Sequence, residues 1–406
     1  MAPAVVITGL GAVTALGGDV RALAAGLAEG RCGIGRVALF APTGRAGMAA
    51  EVREEASAVV GCLPPATARR LSRPDRFALL AAAEACRTAG LEPEFGRDAG
   101  VYVGTTTGGM LATEEAYRRR RAGEDPRFRL SRLLGTPLAT AAAVVSQAFG
   151  LYGPRETFST ACSSSALAVA MAADAVRRGV VPLALAVGTD GLCRLTYAGF
   201  DALQALDTEP CRPFDRDRRG LSLGEGAAAL VLETDAHARA RGARPRAAVL
   251  GWAATSDAHH VTAPHPDGAG ALAALAGALA DARVPPDAVD YVNAHGSGTR
   301  QNDAVEIGVL RRVFGRRLAR LPVSSTKSQV GHCLGAAGAV EAVATVLALD
   351  DGLLPPTVNL RHLDPAWDDL DLVPEAGRRA RLAVAVSSSY GFGGHNVSLV
   401  FGRVAR

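Results

Sequence analysis

Short segments rich in β-branched residues alternate along this chain with longer segments rich in alanine and leucine. The first kind has strand composition and includes AVVITG, GVYVGT and LALAVGTD. The second kind has helix composition and includes VRALAAGLAEG and GAAGAVEAVATVLALDDG. Because alternating strands and helices bury their apolar faces against each other in stacked layers, the sequence predicts an α/β fold.

The two halves of the chain contain a similar run of elements. Each has a helix, a proline-containing turn, a strand and a loop of small residues, in AEACRTAGLEPEFGRDAGVYVGTTTGG and again in ALADARVPPDAVDYVNAHGSGT. A chain of 406 residues also exceeds the size at which one hydrophobic core usually stops growing. We therefore predict an internal duplication, with one half at residues 1–250 and the other at residues 251–406.

The composition limits the classes of partner. Hydrophobic residues make up 49% of the chain and charged residues 21%, as in globular proteins rather than disordered or fibrous ones. The formal net charge of +4 is small for this length, so we expect no nucleic-acid partner. Apolar runs such as ALAALAGALADA are too short to cross a bilayer, which predicts no membrane insertion.

The cysteines and the first residues indicate a compartment. Seven cysteines are scattered without a CxxC pair and without a cluster at metal-ligand spacing. An odd number of cysteines with no disulfide framework is typical of free thiols in a reducing cytoplasm. The segment MAPAVVITGLGAVTALGG lacks the basic start of a signal peptide. We therefore expect a cytoplasmic protein with no metal site.

Cys162 occupies the junction between a predicted strand and a predicted helix. The strand is RETFST, and the helix SSSALAVAMAADAVRRG begins with serines suited to an N-cap. A thiol at this junction faces the unpaired N–H groups of the helix and the positive end of its dipole, which lower its pKa and favour the thiolate. A lone cysteine among small residues is, however, more often a buried apolar side chain. The junction alone leaves both interpretations open.

Three later loops share this design, in which a strand runs into small residues around one distinctive side chain. They contain His295 in AHGSGT, Lys327 and His332 in STKSQVGH, and Phe392 in YGFGGH. Each is ordinary alone, because single histidines and lysines are usually structural and a GFGG segment usually forms a hairpin turn. Together with Cys162 they form a complete chemical set for a catalytic site.

Over nearly its whole length the chain resembles the β-ketoacyl-acyl-carrier-protein synthases of the elongating Cys-His-His type. Segments in the family's order include TACSSSA, PFDRDRRGLSLGEGAAALVLE, VNAHGSGTRQNDAVE, SSTKSQVGHCLGAAGAVE and SYGFGGHNVSLVF. The resemblance implies the thiolase fold, with duplicated α/β halves in a layered α-β-α-β-α arrangement and usually a homodimer. The HGSGTRQND wording is nearer to ketosynthases of discrete polyketide systems, so a heterodimer with a related ketosynthase-like subunit stays open.

The resemblance implies decarboxylative Claisen condensation of malonyl-acyl carrier protein with an acyl chain held on Cys162. His295 and His332 would bind the malonyl thioester carbonyl and stabilise the enolate, as neutral imidazoles that donate from Nε2. Lys327 would organise this region electrostatically, and Glu306 is the acid that follows the first histidine. No cofactor is implied, because both acyl groups would arrive on the phosphopantetheine of acyl carrier protein.

The same resemblance implies which residues bind substrate. The backbone N–H groups of Cys162 and Phe392 would form the oxyanion hole, and Phe392 would gate the acyl pocket, hinged between two glycines. Ser297 and Thr299 would line the phosphopantetheine tunnel. Thr107 falls where a side chain of one subunit commonly helps to close the partner's acyl pocket. The other implied substrate-binding residues are Phe200, His260, Gly391, Gly393 and Asn396.

Basic residues cluster in two places. Arg69, Arg70 and Arg73 lie in ARRLSRPDR, and a second group lies in AYRRRRAGEDPRFRLSR. A solvated helix face is the ordinary explanation of such a run. The functional interpretation is docking of an acidic acyl carrier protein, with electrostatic steering that salt weakens.

Three alternatives differ in single features of the sequence. Thiolases use a second cysteine near the C-terminus, and SYGFGGHN contains none. Initiating synthases use a Cys-His-Asn set, whereas this chain has Lys327 and His332 in its SSTK…GH pattern. Chain-length-factor-like subunits are silent partners that typically replace the cysteine, whereas Cys162, His295 and His332 are all present here. We expect an active elongating synthase, with the silent partner as the alternative and with chain length and pathway left open.

Overall fold

The computed structural model of the protein describes residues 4–53, 63–91, 96–124 and 130–404. The strands are β1 Val5–Val13, β2 Gly35–Arg36, β3 Met48–Ala50, β4 Gly100–Gly104, β5 Arg155–Phe158, β6 Leu183–Asp190, β7 Leu223–Gly224, β8 Gly226–Thr234, β9 Ala247–Ser256, β10 Tyr291–Asn293, β11 Val323–Ser324, β12 Leu353–Leu354, β13 Arg378–Arg379, β14 Val384–Gly391 and β15 His395–Arg403. The α-helices are α1 Val20–Glu29, α2 Pro65–Ala68, α3 Arg73–Thr88, α4 Met110–Arg121, α5 Thr140–Phe149, α6 Ser164–Arg177, α7 Arg194–Ala202, α8 Asp235–Ala240, α9 Ala269–Ala282, α10 Arg300–Phe314, α11 Lys327–Val330 and α12 Ala337–Asp351.

A ten-stranded sheet organises the fold, in the order β11-β10-β14-β15-β9-β1-β8-β6-β4-β5. Strands β1 and β9 pair antiparallel at its centre. From the centre outward, the strands of the first half are β1, β8, β6, β4 and β5, and those of the second half are β9, β15, β14, β10 and β11. In each half these are the first, last, fourth, second and third of its five strands along the chain. The predicted α/β class is therefore confirmed. The division at residue 250 remains a prediction, and that residue lies inside β9.

Two buried helices, α6 and α12, pack against each other in the core. Every residue of α12 from Ala337 to Leu349 is buried, as expected for a helix in which nearly all of these residues are apolar. A Cβ on Gly338 would lie only 2.5 Å from the backbone nitrogen of Ala166, so this approach of the two helices requires glycine. Since α6 begins just after Cys162 and α12 shortly after His332, the packing brings these two residues into one region.

The long elements follow the sequence pattern, whereas several short or polar ones do not. Helix α4 has the sequence MLATEEAYRRRR and buries only Ala116, so it lacks the apolar face by which a helix is recognised. Strands β2, β3 and β7 form a separate small sheet and have two or three residues each, which is too short for a period to show. These elements are held by neighbours in space rather than by local preference.

The predicted free thiols agree with the described residues. Cys32, Cys86, Cys162, Cys193, Cys211 and Cys333 form no disulfide, and Cys62 lies outside the described residues. Among the helices of the described ranges, none combines the length and the apolar character that crossing a bilayer requires.

Candidate active site

Cys162 lies in a tight turn between β5 and α6. Ala161 takes a left-handed φ of 50°, which turns the chain sharply just before the cysteine. Two serine hydroxyls fix the turn: Ser163 Oγ donates to the carbonyl oxygen of Thr160 at 2.8 Å, and Ser164 Oγ donates to that of Ala161 at 2.6 Å. Ser163 is the N-cap residue of α6, as the sequence predicts, but its side chain makes no capping hydrogen bond and its hydroxyl points back along the chain.

The predicted thiolate is also wrong for the resting protein. Cys162 is buried, and burial raises the pKa of its thiol to about 11, because a charged sulfur is poorly solvated there. The nearby cation of Lys327 and the backbone N–H groups of Phe392 and Cys162 act in the opposite direction, and burial outweighs them. The thiol is consequently protonated at neutral pH, and its proton must leave when the sulfur attacks.

His295 lies in the loop between β10 and α10. Glu306, one and a half turns into α10, accepts hydrogen bonds from the backbone N–H of His295 and from that of Gly296, both at 2.7 Å. Gly296 has a φ of 39°, and a Cβ there would lie 2.5 Å from the Cβ of Ser325. Burial raises the pKa of Glu306 to about 7, against the lowering effect of these N–H groups. Glu306 thus holds the histidine loop from behind.

His332 is positioned by a second glycine turn. Gly331 has a φ of 68° and packs against the carbonyl oxygen of Leu223, where a Cβ would lie 3.0 Å away. The backbone N–H of His332 donates to the carbonyl oxygen of Ser222 at 2.7 Å. The ring Nδ1 accepts from the backbone N–H of Leu334 at 3.0 Å. The ring is therefore held at Nδ1, which leaves Nε2 to carry the proton of the neutral imidazole.

The ring of His295 is held in the same tautomer. Its Nδ1 accepts from the backbone N–H of Tyr390 and lies beside the ammonium of Lys327, each at 3.3 Å. The two imidazole rings are 5.5 Å apart between centroids and nearly perpendicular. Burial and the cation of Lys327 lower the pKa of His332 to about 3 and that of His295 well below 6.5. Both side chains are thus neutral Nε2–H donors.

Lys327 is the buried cation of the site. Its Nζ donates to the carbonyl oxygen of His295 at 2.7 Å and forms an ion pair with Glu341 of α12. Both side chains of the ion pair are almost completely buried. Glu341 Oε2 also accepts from Ser389 Oγ at 3.3 Å, so α11, α12 and β14 are joined through these charges.

Phe392 follows β14 and lies over the nucleophile. The backbone N–H groups of Phe392 and of Cys162 both act on the sulfur of Cys162, since each lowers the pKa of its thiol. The oxyanion hole that these two groups would form remains a prediction. The ring of Phe392 stacks on that of Phe200 with 5.4 Å between centroids and 17° between planes. On one side of Phe392, a Cβ on Gly391 would lie 2.8 Å from the carbonyl oxygen of Thr160. On the other side, Gly393 has a left-handed φ of 83°. The gating role of Phe392 remains a prediction.

One cavity of about 440 Å³ brings most of the predicted residues together. It extends from buried Cys162 to the exposed side chains of Leu203 and Arg300, so the sulfur has a path to solvent. The predicted residues that line it are Cys162, Phe200, His295, Ser297, Thr299, His332, Gly391, Phe392 and Asn396. Asn396 is oriented by Asp257, whose Oδ1 accepts from Asn396 Nδ2 at 2.8 Å.

The remaining predicted residues lie outside the cavity wall. Lys327 and Glu306 support the histidines from behind, as described above. Thr107 is buried, and its hydroxyl donates to Asp190 Oδ1 at 2.8 Å, so within this chain it is committed to the end of β6. His260 is exposed, and its Nδ1 accepts from the backbone N–H groups of Thr262 and Ala263 at 3.1 Å. The predicted roles of Thr107 and His260 toward substrate or partner remain predictions.

The predicted docking arginines differ in their surroundings. Arg69 and Arg70 are exposed just before α3. Arg73 is the first residue of α3, and its guanidinium forms an ion pair with the fully buried carboxylate of Glu225 at 2.6 Å. Arg73 therefore has a structural partner that competes with docking. Residues 125–129 of the second basic segment lie outside the described residues, and so do the side chains of residues 130–132.

The residues of the site that were not found from the sequence include Glu341 and Tyr390. Glu341 partners Lys327 from 14 positions away, and Tyr390 lines the cavity and contacts the ring of His295 at 5.7 Å between centroids. The glutamate in GAAGAVEAV was the only available signal for the first, because an acid within an apolar helix needs a buried partner. No signal distinguished Tyr390 from an ordinary strand residue.

Comparisons with known proteins address the family of the chain rather than its individual site residues. The models of the beta-ketoacyl synthase N-terminal and C-terminal domains match residues 2–238 and 246–361. The 3-oxoacyl-[acyl-carrier-protein] synthase 2 of Synechocystis sp. is 38% identical over 410 residues, which cover 98% of this chain and 97% of that protein.

Two solved structures match over the full length of both chains. One is the ishigamide ketosynthase/chain length factor, with a TM-score of 0.94 and 33% identity. The other is a type II PKS acyl-carrier protein in complex with its ketosynthase bound to the hexaketide, with a TM-score of 0.91 and 29% identity. These structural neighbours have the thiolase fold, as predicted. Since the two domain models together match most of the sequence, the chain belongs to the beta-ketoacyl synthase family.

Proposed function

We propose that the protein catalyses decarboxylative Claisen condensation of malonyl-acyl carrier protein with an acyl chain bound to Cys162, and so forms β-ketoacyl-acyl carrier protein. One observation supports this most directly. The sulfur and two neutral imidazoles, each free to donate from Nε2, line the same cavity. That arrangement suits a reaction in which one group holds an acyl chain while two donors stabilise an enolate beside it.

The first half-reaction is transfer of the acyl group. Cys162 sulfur forms a bond to the carbonyl carbon of an acyl thioester, the old carbon–sulfur bond breaks, and the thiol proton leaves on the released pantetheine thiol. The backbone N–H groups of Cys162 and Phe392 both lower the pKa of this thiol, and in the proposed reaction they would stabilise the oxyanion. A mutationally removed oxyanion donor typically costs about 2.7–4 kcal/mol of transition-state stabilisation.

The second half-reaction is condensation. The malonyl thioester loses carbon dioxide, and the electron pair of the broken carbon–carbon bond becomes an enolate whose oxygen accepts from Nε2–H of His295 and His332. The enolate carbon attacks the carbonyl carbon of the Cys162 thioester, its carbon–sulfur bond breaks, and the sulfur leaves as a thiolate. A proton from solvent restores the thiol and replaces the one that left with the first pantetheine. Because decarboxylation supplies the carbanion, the reaction balances without a strong base, a metal or a diffusible cofactor.

The partners follow from this reaction and from the family. We propose acyl carrier protein as the donor of both acyl groups, in the cytoplasm, and either a second copy of this chain or a related ketosynthase-like subunit as the dimer partner. One structural neighbour is a ketosynthase in complex with an acyl-carrier protein, which supports the proposed acyl donor. The other is a ketosynthase/chain length factor, which supports a related subunit as the dimer partner. Fatty-acid and polyketide elongation use the same chemistry and are both compatible with the site.

The alternative is a silent chain-length-factor-like subunit. The structural match to a ketosynthase/chain length factor pair gives this alternative its support. It requires no intact nucleophile, whereas Cys162, His295, His332 and Lys327 are all present and mutually positioned. The geometry therefore favours the condensing enzyme.

Mass spectrometry with two variants tests the proposal. Cys162→Ala should abolish acyl transfer and retain malonyl decarboxylation, because only the sulfur is lost. His332→Ala should impair decarboxylation while Cys162 still becomes acylated, because one enolate donor is lost. Acylation of the Cys162→Ala protein, or a wild-type protein that neither takes up acyl groups nor decarboxylates malonyl-carrier protein, would refute the assignment.

A further inference from the structure

Two arginines at the outer end of the cavity have no role in the reaction proposed above. Arg219 follows the buried Arg218, and Arg300 is the first residue of α10. Both side chains are exposed and both residues line the cavity that contains Cys162. Within the described ranges neither guanidinium forms an ion pair, although most arginines near this region do. Two uncompensated positive charges thus border the route by which a substrate reaches the sulfur.

The two arginines belong to loops that are joined to each other. Arg218 Nη2 donates to the carbonyl oxygen of Arg300 at 3.3 Å, and Arg300 Nε donates to the carbonyl oxygen of Arg218 at 3.4 Å. The loops also touch through their backbones, since a Cβ on Gly298 would lie 2.8 Å from the carbonyl oxygen of Gly220. These contacts hold the guanidinium of Arg300 beside the peptide bond that leads into Arg219.

The loops are anchored from the protein interior. Arg218 is buried, lies 3.6 Å from Asp303 and 3.3 Å from Asp364 in ion pairs, and packs over the ring of Trp367. Asp303 also accepts from the backbone N–H of Gly298 at 3.1 Å. Asp303 and Asp364 are therefore occupied by Arg218 and by backbone N–H groups, so neither forms an ion pair with Arg219 or Arg300.

The chemistry of the cavity restricts that ligand. Asp257 is the carboxylate among the cavity-lining residues, and it is occupied by Asn396 and by the backbone N–H of His265. The entrance is consequently cationic, while the interior is lined by the imidazoles and by aromatic rings. A ligand that fits has an anionic group at one end and an uncharged arm that reaches the sulfur. Guanidinium groups bind phosphate oxygens especially well.

We infer that Arg219 and Arg300 bind the phosphate at the 4′ end of the pantetheine arm that delivers the acyl group. This inference rests on the proposed function, because it takes the substrate to be a pantetheine thioester. The phosphate could belong to a carrier protein or to coenzyme A, which present the same group at that end of the arm. In either case the arginines position the thioester by fixing the far end of its carrier.

The test compares two thioester donors that differ only in this phosphate. Acylation of Cys162 is followed by mass spectrometry with octanoyl-pantetheine and with octanoyl-4′-phosphopantetheine, in the full-length protein. We expect the phosphorylated donor to be preferred about tenfold in wild type, which corresponds to about 1.4 kcal/mol. In Arg219→Gln/Arg300→Gln this preference should fall toward one. The matched control is Arg216→Gln, since Arg216 is an exposed arginine of the same loop that pairs with Asp217 and does not line the cavity.

Two further arms separate the possible sources and failures. The acylation rates with octanoyl-carrier protein and with octanoyl-coenzyme A, each compared between wild type and the double variant, show which phosphate source depends more on the arginines. Protection of Cys162 from alkylation by free 4′-phosphopantetheine, relative to pantetheine, reports binding even if no acyl transfer occurs, so a failed function is distinguishable from a failed phosphate site. An unchanged preference in the double variant, an equal loss with both small donors, or a loss confined to carrier protein would each overturn the inference.

Discussion

Lys327 Nζ donates to the carbonyl oxygen of His295 at 2.7 Å and lies 3.3 Å from Nδ1 of the same residue. One ammonium thus holds both the backbone and the ring of this histidine. It also keeps a proton away from Nδ1, because two N–H donors already face that nitrogen. The electrostatic role of Lys327 at the site is therefore to fix the Nε2–H tautomer of His295. The buried positive charge of Lys327 is in turn balanced by the carboxylate of Glu341.

Glu341→Gln should lower the free energy of unfolding by about 3–5 kcal/mol, because it leaves the buried charge of Lys327 without its partner. Urea unfolding measures the loss. The control Glu29→Gln removes an exposed acid paired with Arg31 and should change stability by less than about 1 kcal/mol. Adding Lys327→Met to Glu341→Gln should recover part of the stability, since no isolated charge then remains. If Glu341→Gln lowers the free energy of unfolding no more than the control does, the ion pair between Lys327 and Glu341 does not stabilise the fold.

His332 should make the protein less stable as pH falls. The pKa of its ring is about 3 in the folded state and about 6.5 when unfolded, so between these values only the unfolded state binds the proton. Asp75 and Glu306, with pKa values raised to about 6 and about 7, act in the opposite direction. Comparison with His332→Gln isolates the histidine. The stability of wild type relative to this variant should fall by up to about 1.4 kcal/mol per pH unit below pH 6.5.

Urea unfolding of both proteins at several pH values between 7 and 5 measures this difference. The sign is fixed by the lowered pKa: protonation favours the unfolded state, so acid weakens the wild type more than the variant. A difference that does not change with pH would show that His332 titrates normally in the folded protein. The neutral Nε2–H donor would then be lost at mildly acidic pH.

Gly391→Ala should slow acylation of Cys162 by roughly a hundredfold, because a Cβ there would lie 2.8 Å from the carbonyl oxygen of Thr160 and 3.1 Å from the backbone nitrogen of Cys162. Either the turn that carries the sulfur or the Phe392 loop must move. Gly308→Ala is the matched control, since Gly308 lies on the exposed side of α10 with no atom within 4 Å of a new Cβ. It should stabilise the protein by about 0.5–1 kcal/mol. Equal acylation rates in the two variants would show that a Cβ at position 391 displaces neither the Cys162 turn nor the Phe392 loop.

The sequence allowed the loops of the site to be predicted, because each reactive residue stands among small residues that follow a segment of strand composition. Cys162, His295, His332 and Phe392 were found in this way and all line one cavity. The ionisation of Cys162 could not be predicted from the same pattern. Burial depends on how α6 packs against α12 and the sheet, and burial is the larger influence on its pKa.

Ion pairs between residues that are far apart in the sequence could not be predicted either. The pairs Lys327–Glu341 and Arg73–Glu225 join different elements, and no spacing rule links their members in the sequence. The second pair changes how the basic segment is interpreted. Arg73 resembles its neighbours in the sequence, but its partner lies fully buried beneath it.

Arg69 and Arg70 are therefore the better test of carrier-protein docking. Both are exposed, and reversing their charges in Arg69→Glu/Arg70→Glu should weaken the attraction of an acidic carrier protein. We expect the apparent KM for acyl-carrier protein to rise severalfold at low salt, with a smaller rise at high salt, because salt screens exposed charges. Acylation by a small thioester should keep its KM, since it needs no docking surface.

Two comparisons show whether the effect is local. Arg316→Glu reverses an exposed charge in the second half of the chain and should leave the KM for carrier protein near the wild-type value. Arg73→Glu should instead lower stability, since it places an acid against the buried carboxylate of Glu225. If Arg69→Glu/Arg70→Glu and Arg316→Glu change the KM equally, the effect comes from net charge alone. An unchanged KM in Arg69→Glu/Arg70→Glu would mean that these arginines form only a solvated surface.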